Sequence, residues 1–196
     1  MTVFSAALLL FLVMDPFGNI AFFITALEPV EEARRTRVIL RELLIALAVL
    51  VIFLCAGQHL LGALGISGPA LTVAGGTVLF LIALKMVFPA ARGRVREEVS
   101  GEPFIVPLAV PYVAGPSAMA SLLLIMNREP SRYLEWLFAL FAAWLVTGLI
   151  LSMSGLFSRL LGERGLIAIE RLMGMLLVAI AIQMMMTGVA GFIAAQ

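Results

Sequence analysis

The apolar run from Val3 to Leu27 is long enough to cross a bilayer, yet Met14-Asp15-Pro16-Phe17-Gly18-Asn19 interrupts its interior. No other feature limits the possible folds as much. Hydrocarbon offers no hydrogen bonds, so a helix break inside a spanning segment is tolerated only where protein or water surrounds it. Asp-Pro is also a helix-start signal. The Asp side chain caps a first turn, and Pro at the first helical position gives up only an N–H that has no intrahelical partner. Gly18 then allows another group to come close. The segment reads as a helix that stops near Met14 and restarts at Pro16, with an ionisable residue at the break. Carboxylates at membrane depth are costly and usually functional.

Five further apolar runs follow. Measured against the ~20 residues needed to cross the hydrocarbon, the spans fall near 3–27, 37–58, 67–88, 104–126, 133–157 and 166–192. The connections are short, so 1–196 forms a single transmembrane domain. Only 13% of the 196 residues are charged, and mean hydropathy is +1.13. Soluble domains carry about 25% charge, so the fold class is an all-α membrane protein embedded in the lipid bilayer. A formal net charge of +1 gives no reason to expect a nucleic acid or other polyanion. The single Cys55 has no internal disulfide partner and reads as a small buried hydrophobe. The N-terminus lacks the basic region of a signal peptide, so the first run reads as a retained helix.

Basic residues in short loops set orientation. The loops after spans one, three and five hold Arg34, Arg35, Arg37, Arg92, Arg94, Arg96, Arg159 and Arg164, against Arg128 and Arg132 on the other side. That asymmetry puts the first set in the cytoplasm and both termini outside it. The halves also resemble each other. Gly65-x-x-Gly68 matches Gly162-x-x-Gly165, Gly76, Ala83 and Met86 match Gly174, Ala181 and Met184, and Asp15-Pro16 matches Gly115-Pro116, all at offsets of 97 to 100. Each half has three spans, an odd number, so homologous halves enter the membrane from opposite sides. The expectation is two inverted three-helix repeats, about 1–89 and about 103–196, joined by a cytoplasmic linker at about 89–103.

The fourth span should be broken like the first. Pro107, Pro111, Gly115 and Pro116 within eleven residues do not make one straight helix, and the second half-helix should start at Pro116 with Ser117 in its first turn. At ~1.5 Å per residue Asp15 lies roughly 18 Å from Val3, past the middle of a ~30 Å core. Inversion would bring Gly115 to the same depth from the other face. Two half-helix N-termini, each with unpartnered N–H groups and a positive dipole end, suit a carboxylate. Asp15 suits an ammonium or a proton. A small zwitterionic amino acid uses both, and Phe17, Phe22 and Tyr112 leave room only for a small, uncharged side chain. The competing reading makes the prolines simple kinks and Asp15 only a cap.

Together, the Met14-to-Asn19 motif, the Pro111-to-Ser117 stretch with Ala114-Gly115-Pro116, and Ala74-Gly75-Gly76 followed by Leu79-Phe80-Leu81 resemble the MarC family over nearly the whole chain. That family includes SnatA-type transporters of small neutral amino acids and lies near the LysE-type exporters. The resemblance implies a bacterial or archaeal cytoplasmic (inner) membrane protein of six helices in inverted repeats. It also implies transport of glycine, alanine or similar solutes coupled to protons, for which the residues themselves make Asp15 the proton-coupling candidate. The residues leave Na⁺ open as the ion, because broken-helix carbonyls suit a cation, and they are compatible with a homo-oligomer.

Other residues have weaker readings. Asn19 bonds either the opposite half-helix, the ligand or its own backbone. Thr72, Gly76 and Thr77 are candidate cavity lining, though small residues in such a run more often let helices pack closely. Gln183 reads as facing the bundle. Lys85 should snorkel to the interface, and Glu170, Arg171 and His59 read as interfacial. Met184-Met185-Met186 reads as lipid-facing filler, or alternatively a pliable gate; Trp136 reads as a belt residue and Trp144 as a lipid or packing contact. With one His and no cluster of ligating side chains, no metal or cofactor is expected, and an enzyme lacks its catalytic groups. The leading function is a secondary transporter in which one half rocks against the other around a midplane site. The alternatives are an exporter of other small metabolites or drugs, a channel, and a non-transporting membrane subunit.

Overall fold

The computed structural model describes residues 1–88, 104–106 and 108–194; the expected linker at 89–103 lies outside them. Seven helices are described. The first span is two of them, α1 (Val3–Met14) and α2 (Pro16–Ala26), separated by Asp15 alone. Thr2 caps α1 through a reciprocal bond pair with Ser5. The 33-residue α3 (Glu32–Leu64) extends the second span at both ends, because the Arg-rich turn before it is also helical; it stops at Gly65, whose φ of 66° suits a residue without a side chain. Ser67 caps α4 (Gly68–Val87), with Pro69 in its first turn.

The fourth span is not a continuous helix. An irregular, wide-turned stretch covers Leu108–Val113, with Val110 extended and Pro111 inside it, and α5 (Pro116–Arg128) follows. Pro111 has no N–H to give and Gly115 is extended (φ -79°, ψ 162°), so helical hydrogen bonding cannot run through. Then come α6 (Tyr133–Ser152) and α7 (Ser154–Ile193), the latter sharply bent at Gly162 (φ 62°, ψ 177°). Five segments among the described residues are long and apolar enough to cross a membrane: Val3–Ala26, Glu32–His59, Gly68–Val87, Pro130–Ser152 and Arg164–Ile193. In place of the fourth expected span there is only the shorter apolar helix Pro116–Met126.

The main contacts cross between the two sequence halves. α4 packs along α7, α1 on α6, α4 on α5, α2 on α7, and α3 on α5, α6 and the irregular stretch. Neither half is therefore packed as a separate body. The second piece of each broken span packs on helices of the other half, α2 on α7 and α6, and α5 on α4 and α3.

The shared core contains Leu10, Met14, Phe23, Leu50, Leu79, Leu122 and Leu140, whereas Phe4, Ile52, Phe138 and Leu149 point outward, as lipid permits. Trp136 is not a lipid-exposed belt residue. It is buried, donates from Nε1 to the Glu129 carbonyl at 2.9 Å, and carries the Arg132 guanidinium over its ring at 4.6 Å. Trp144 is a packing contact, donating to the Leu43 carbonyl at 2.8 Å. Cys55 is exposed rather than buried, with its sulfur 3.0 Å from the Tyr133 hydroxyl.

Candidate functional site

Asp15 is both the last cap of α1 and the first cap of α2. Its φ of 43° and ψ of 62° lie in the left-handed region, where Asp and Asn are the tolerated non-glycine residues. The carboxylate is 6% exposed, and Oδ1 accepts the Gly18 N–H at 3.2 Å. Gly18 is required here. A Cβ on it would lie 2.1 Å from Asp15 Oδ2 and 2.5 Å from the Met86 methyl. The Met86 side chain, from α4, thus packs over the notch that holds the carboxylate.

Asn19 joins the two breaks. From the first turn of α2 its Nδ2 donates to the Met14 carbonyl at 2.8 Å, at the open end of α1, and to the Tyr112 carbonyl at 3.0 Å, in the second broken span. Both acceptors are carbonyls that a break leaves without their usual helical partners. Of the readings open for Asn19, the structure therefore contains two, the local cap and the bond to the opposite span. The Tyr112 ring stacks on Phe22 at 4.7 Å, a second link between the same two segments.

At the second break, Gly115 is buried, and a Cβ on it would lie 2.7 Å from the Pro111 carbonyl oxygen. No side chain caps α5. Ser117 is 4% exposed, and its carbonyl accepts the Ser121 hydroxyl at 2.8 Å; that hydroxyl also lies 3.9 Å from the Met184 sulfur. Met184 is buried, not lipid-facing, whereas Met186 is exposed. Gly75 reaches this break from α4: a Cβ there would lie 2.4 Å from the Ala120 Cβ and 3.6 Å from the Pro116 carbonyl.

Among the expected site residues, Asp15, Gly18, Asn19 and Tyr112 form one contiguous group, with Pro16 buried behind them. Gly115 and Ser117 are buried at the second break, and Pro116 is exposed. Phe17 sits to one side, edge-on to Phe11 and Phe157. Thr72 and Thr77 turn their hydroxyls onto the Gly68 and Val73 carbonyls of their own helix, and Thr77 is exposed. Gly76 meets α7, where its Cβ would lie 2.9 Å from the Ala181 carbonyl. These three serve the helix and its packing.

Two contributors were not singled out by the sequence reading. Met86 was noted only as a repeat match, and Thr147 lies beside Met14 with its hydroxyl 3.7 Å from the sulfur. Glu170 is half-buried on α7. Gln183 is exposed and bonds Thr187 at 3.3 Å. It helps to line a mostly apolar groove of about 410 Å³ between α1, α5 and α7, floored in part by Met184. Among the described residues no three His, Cys, Asp or Glu side chains converge as a metal site.

Apposed helix breaks, one with a buried carboxylate, in a bundle with lipid-facing sides define a multi-pass membrane protein built around an internal polar site. The sequence matches the description "MarC family integral membrane protein" over residues 1–193. It is 47% identical to an inner membrane protein of Escherichia coli K12, UPF0056 inner membrane protein YhgN, over 95% of both chains. It is also 40% identical to a UPF0056 membrane protein of Buchnera aphidicola, over 95% of this chain and 96% of that one. A UPF0056 membrane protein of Methanocaldococcus jannaschii is 32% identical, over 93% of this chain and 84% of that one. No solved structure matches. The chain belongs to the MarC family.

Proposed function

We propose that this protein is a secondary transporter of small neutral amino acids such as glycine and alanine, working by alternating access in a bacterial or archaeal inner membrane. The observation that carries the reading is the Asn19 bridge, which holds the two broken spans together beside the buried Asp15. The Asp15 carboxylate faces the ammonium group of a substrate. The uncapped first turn of α5 offers backbone N–H groups to its carboxylate. Met86, Phe22 and Tyr112 crowd the space between, which favours a small side chain.

Reciprocal packing of α4 on α7 supports six spans in two inverted repeats. Gly76 meets the Ala181 carbonyl, and Gly174 meets the Ala83 carbonyl, where its Cβ would lie 3.1 Å away. These are the residues that match between the halves, and each pair maps onto the other when the halves are exchanged, as in a two-fold interface. The matched methionines follow the same rule. Met86 covers the cytoplasmic side of the first break, and Met184 stands between the second break and the groove that leads outward to Met1. In this reading they are the inner and outer closures, and one half rocks against the other about Asp15 and Gly115. Both termini face outward, and no chemical transformation of the substrate is involved.

The test is uptake of labelled glycine and alanine by proteoliposomes, with and without a pH gradient. Saturable uptake supports the carrier, and acceleration by the gradient supports proton symport. Folded protein that takes up neither amino acid refutes the substrate reading.

A further inference from the structure

The molecule has a second buried carboxylate, on the side of α3 that packs into the bundle. Glu42 is 0% exposed, ten residues into α3 and within its apolar run. Its Oε1 accepts from Arg41, Nε at 3.0 Å and Nη2 at 2.9 Å, while Oε2 is buried with no hydrogen-bond partner. An ionised carboxylate with a bare oxygen in a low-dielectric surrounding is costly, and membrane proteins keep such groups where they carry ions.

The surroundings tie Glu42 to the breaks. The next residue, Leu43, takes the Trp144 hydrogen bond and packs against Gly148, where a Cβ would lie 3.1 Å from it. Thr147, beside Gly148, touches Met14, the neighbour of Asp15. On the other side, the Arg41 guanidinium rests over the Phe104 ring at 5.1 Å, and Phe104 begins the stretch that runs into the second break. Among the described residues Arg41 therefore touches two attractive partners, the Glu42 carboxylate and an aromatic face.

We propose that Glu42 is the proton-carrying site of the transport cycle, distinct from the substrate site at Asp15. The proposal rests on the transporter reading above. A proton from water reaching the partly exposed Arg41 adds to Oε2. The acid becomes neutral, its hold on Arg41 weakens, and the guanidinium shifts its weight to Phe104 at the head of the second broken span. Re-forming the ion pair expels the proton to water on the other side. A metal cation suits Oε2 less well, because Arg41 already places a positive charge on the same carboxylate. Of the elements packed on α3, the irregular stretch contributes Tyr112, whose ring is on Phe22. α6 contributes Tyr133 and Glu135, near Cys55 at its far end, and α5 contributes Arg128 at its last residue. Arg41 is thus the charged group recorded against Glu42 among the described residues.

The experiment compares wild type with Glu42→Gln, which keeps an acceptor for Arg41 but takes up no proton at neutral pH. In proteoliposomes E42Q should lose about tenfold or more of pH-gradient-driven accumulation, with substrate exchange and its KM unchanged. Infrared spectra of the purified protein should contain a carboxylic C=O band that persists in Asp15→Asn and is missing in E42Q. Phe104→Leu, which removes the aromatic partner of Arg41, should weaken accumulation without abolishing exchange, and it decides the matter if E42Q does not fold. Normal gradient-driven accumulation in E42Q, an unchanged band in E42Q, or accumulation driven by Na⁺ alone overturns the proposal. Wild-type vesicles without any amino-acid uptake refute the transporter reading, and the infrared band then decides Glu42 on its own.

Discussion

The two breaks occupy matching positions in the two halves but are built differently. At the first, one residue does everything. Asp15 adopts a left-handed backbone, closes α1, and caps α2 with its own carboxylate. At the second, the chain needs the irregular Leu108–Val113 stretch, an extended Gly115 and two prolines, and no side chain caps α5. The first break therefore brings its own negative charge and spends part of its helix N-terminus on it. The second leaves its N-terminus open to an outside anion. In the proposed transporter these unequal breaks form the two ends of a polar site suited to a zwitterion.

The sharpest way to break this contrast is Asp15→Asn. Asn tolerates the left-handed backbone and still accepts the Gly18 N–H, so the helix break should persist. The charge is lost, and uptake efficiency should fall about 100-fold, the scale for removing one partner of a buried charged contact. Proteoliposome uptake and a melting curve check this together. Wild-type uptake by that variant would make Asp15 a mere cap and the two breaks equivalent.

Alanine at the two break glycines comes next. At Gly18 the new Cβ meets the ends of flexible side chains, the Asp15 carboxylate and the Met86 methyl, which can give way. Activity should suffer more than stability. At Gly115 it meets the Pro111 carbonyl at 2.7 Å, which is backbone, so Gly115→Ala should cost about 1–3 kcal/mol in stability as well as substrate affinity. Equal melting temperatures for the two variants would erase the distinction. Asn19→Ala then leaves the Met14 and Tyr112 carbonyls without their shared donor, for a loss of about 1–2 kcal/mol seen as a lower melting temperature.

Much of this was legible because the membrane leaves few choices. Run length located five of the spans, and Asp-Pro and Gly-Pro located both breaks to the residue. Asn19 was readable as a bridging group, although its partner across the molecule was not. The identity of a tertiary partner is set by packing, which one-dimensional spacing does not encode. Gly75 and Gly76 illustrate the limit: adjacent on the chain, they face α5 and α7 respectively, and only the roll of α4 decides which one meets the break. Glu42 was hidden because Arg-Glu near one end of a span normally reads as interfacial, and its burial is decided by tertiary packing that spacing does not encode. A sequence repeat is also not a packing unit, since α4 packs along α7 and α1 on α6.

The smallest effect belongs to the surface around Met1 and Glu129, and it tests whether function is confined to the breaks. Glu129 holds the Met1 amino group at 2.9 Å and Arg132 at 2.6 Å. The Arg132 hydrogen bond, aided by the one from the Met1 ammonium, keeps the Glu129 carboxyl below its usual value of 4.5. A depressed carboxyl stabilises the folded state above the unfolded value, and that contribution disappears as pH falls through the lower folded value. Wild type should therefore lose a small increment of melting temperature in acid that Glu129→Gln lacks, and salt should shrink the difference because the pair is exposed. Substrate transport at neutral pH should be the same in both. A transport defect in Glu129→Gln would mean that the clasp between the start of α1 and the α5–α6 connection takes part in outer closure, and the working contrast would then extend beyond the two breaks to the groove that ends at Met1.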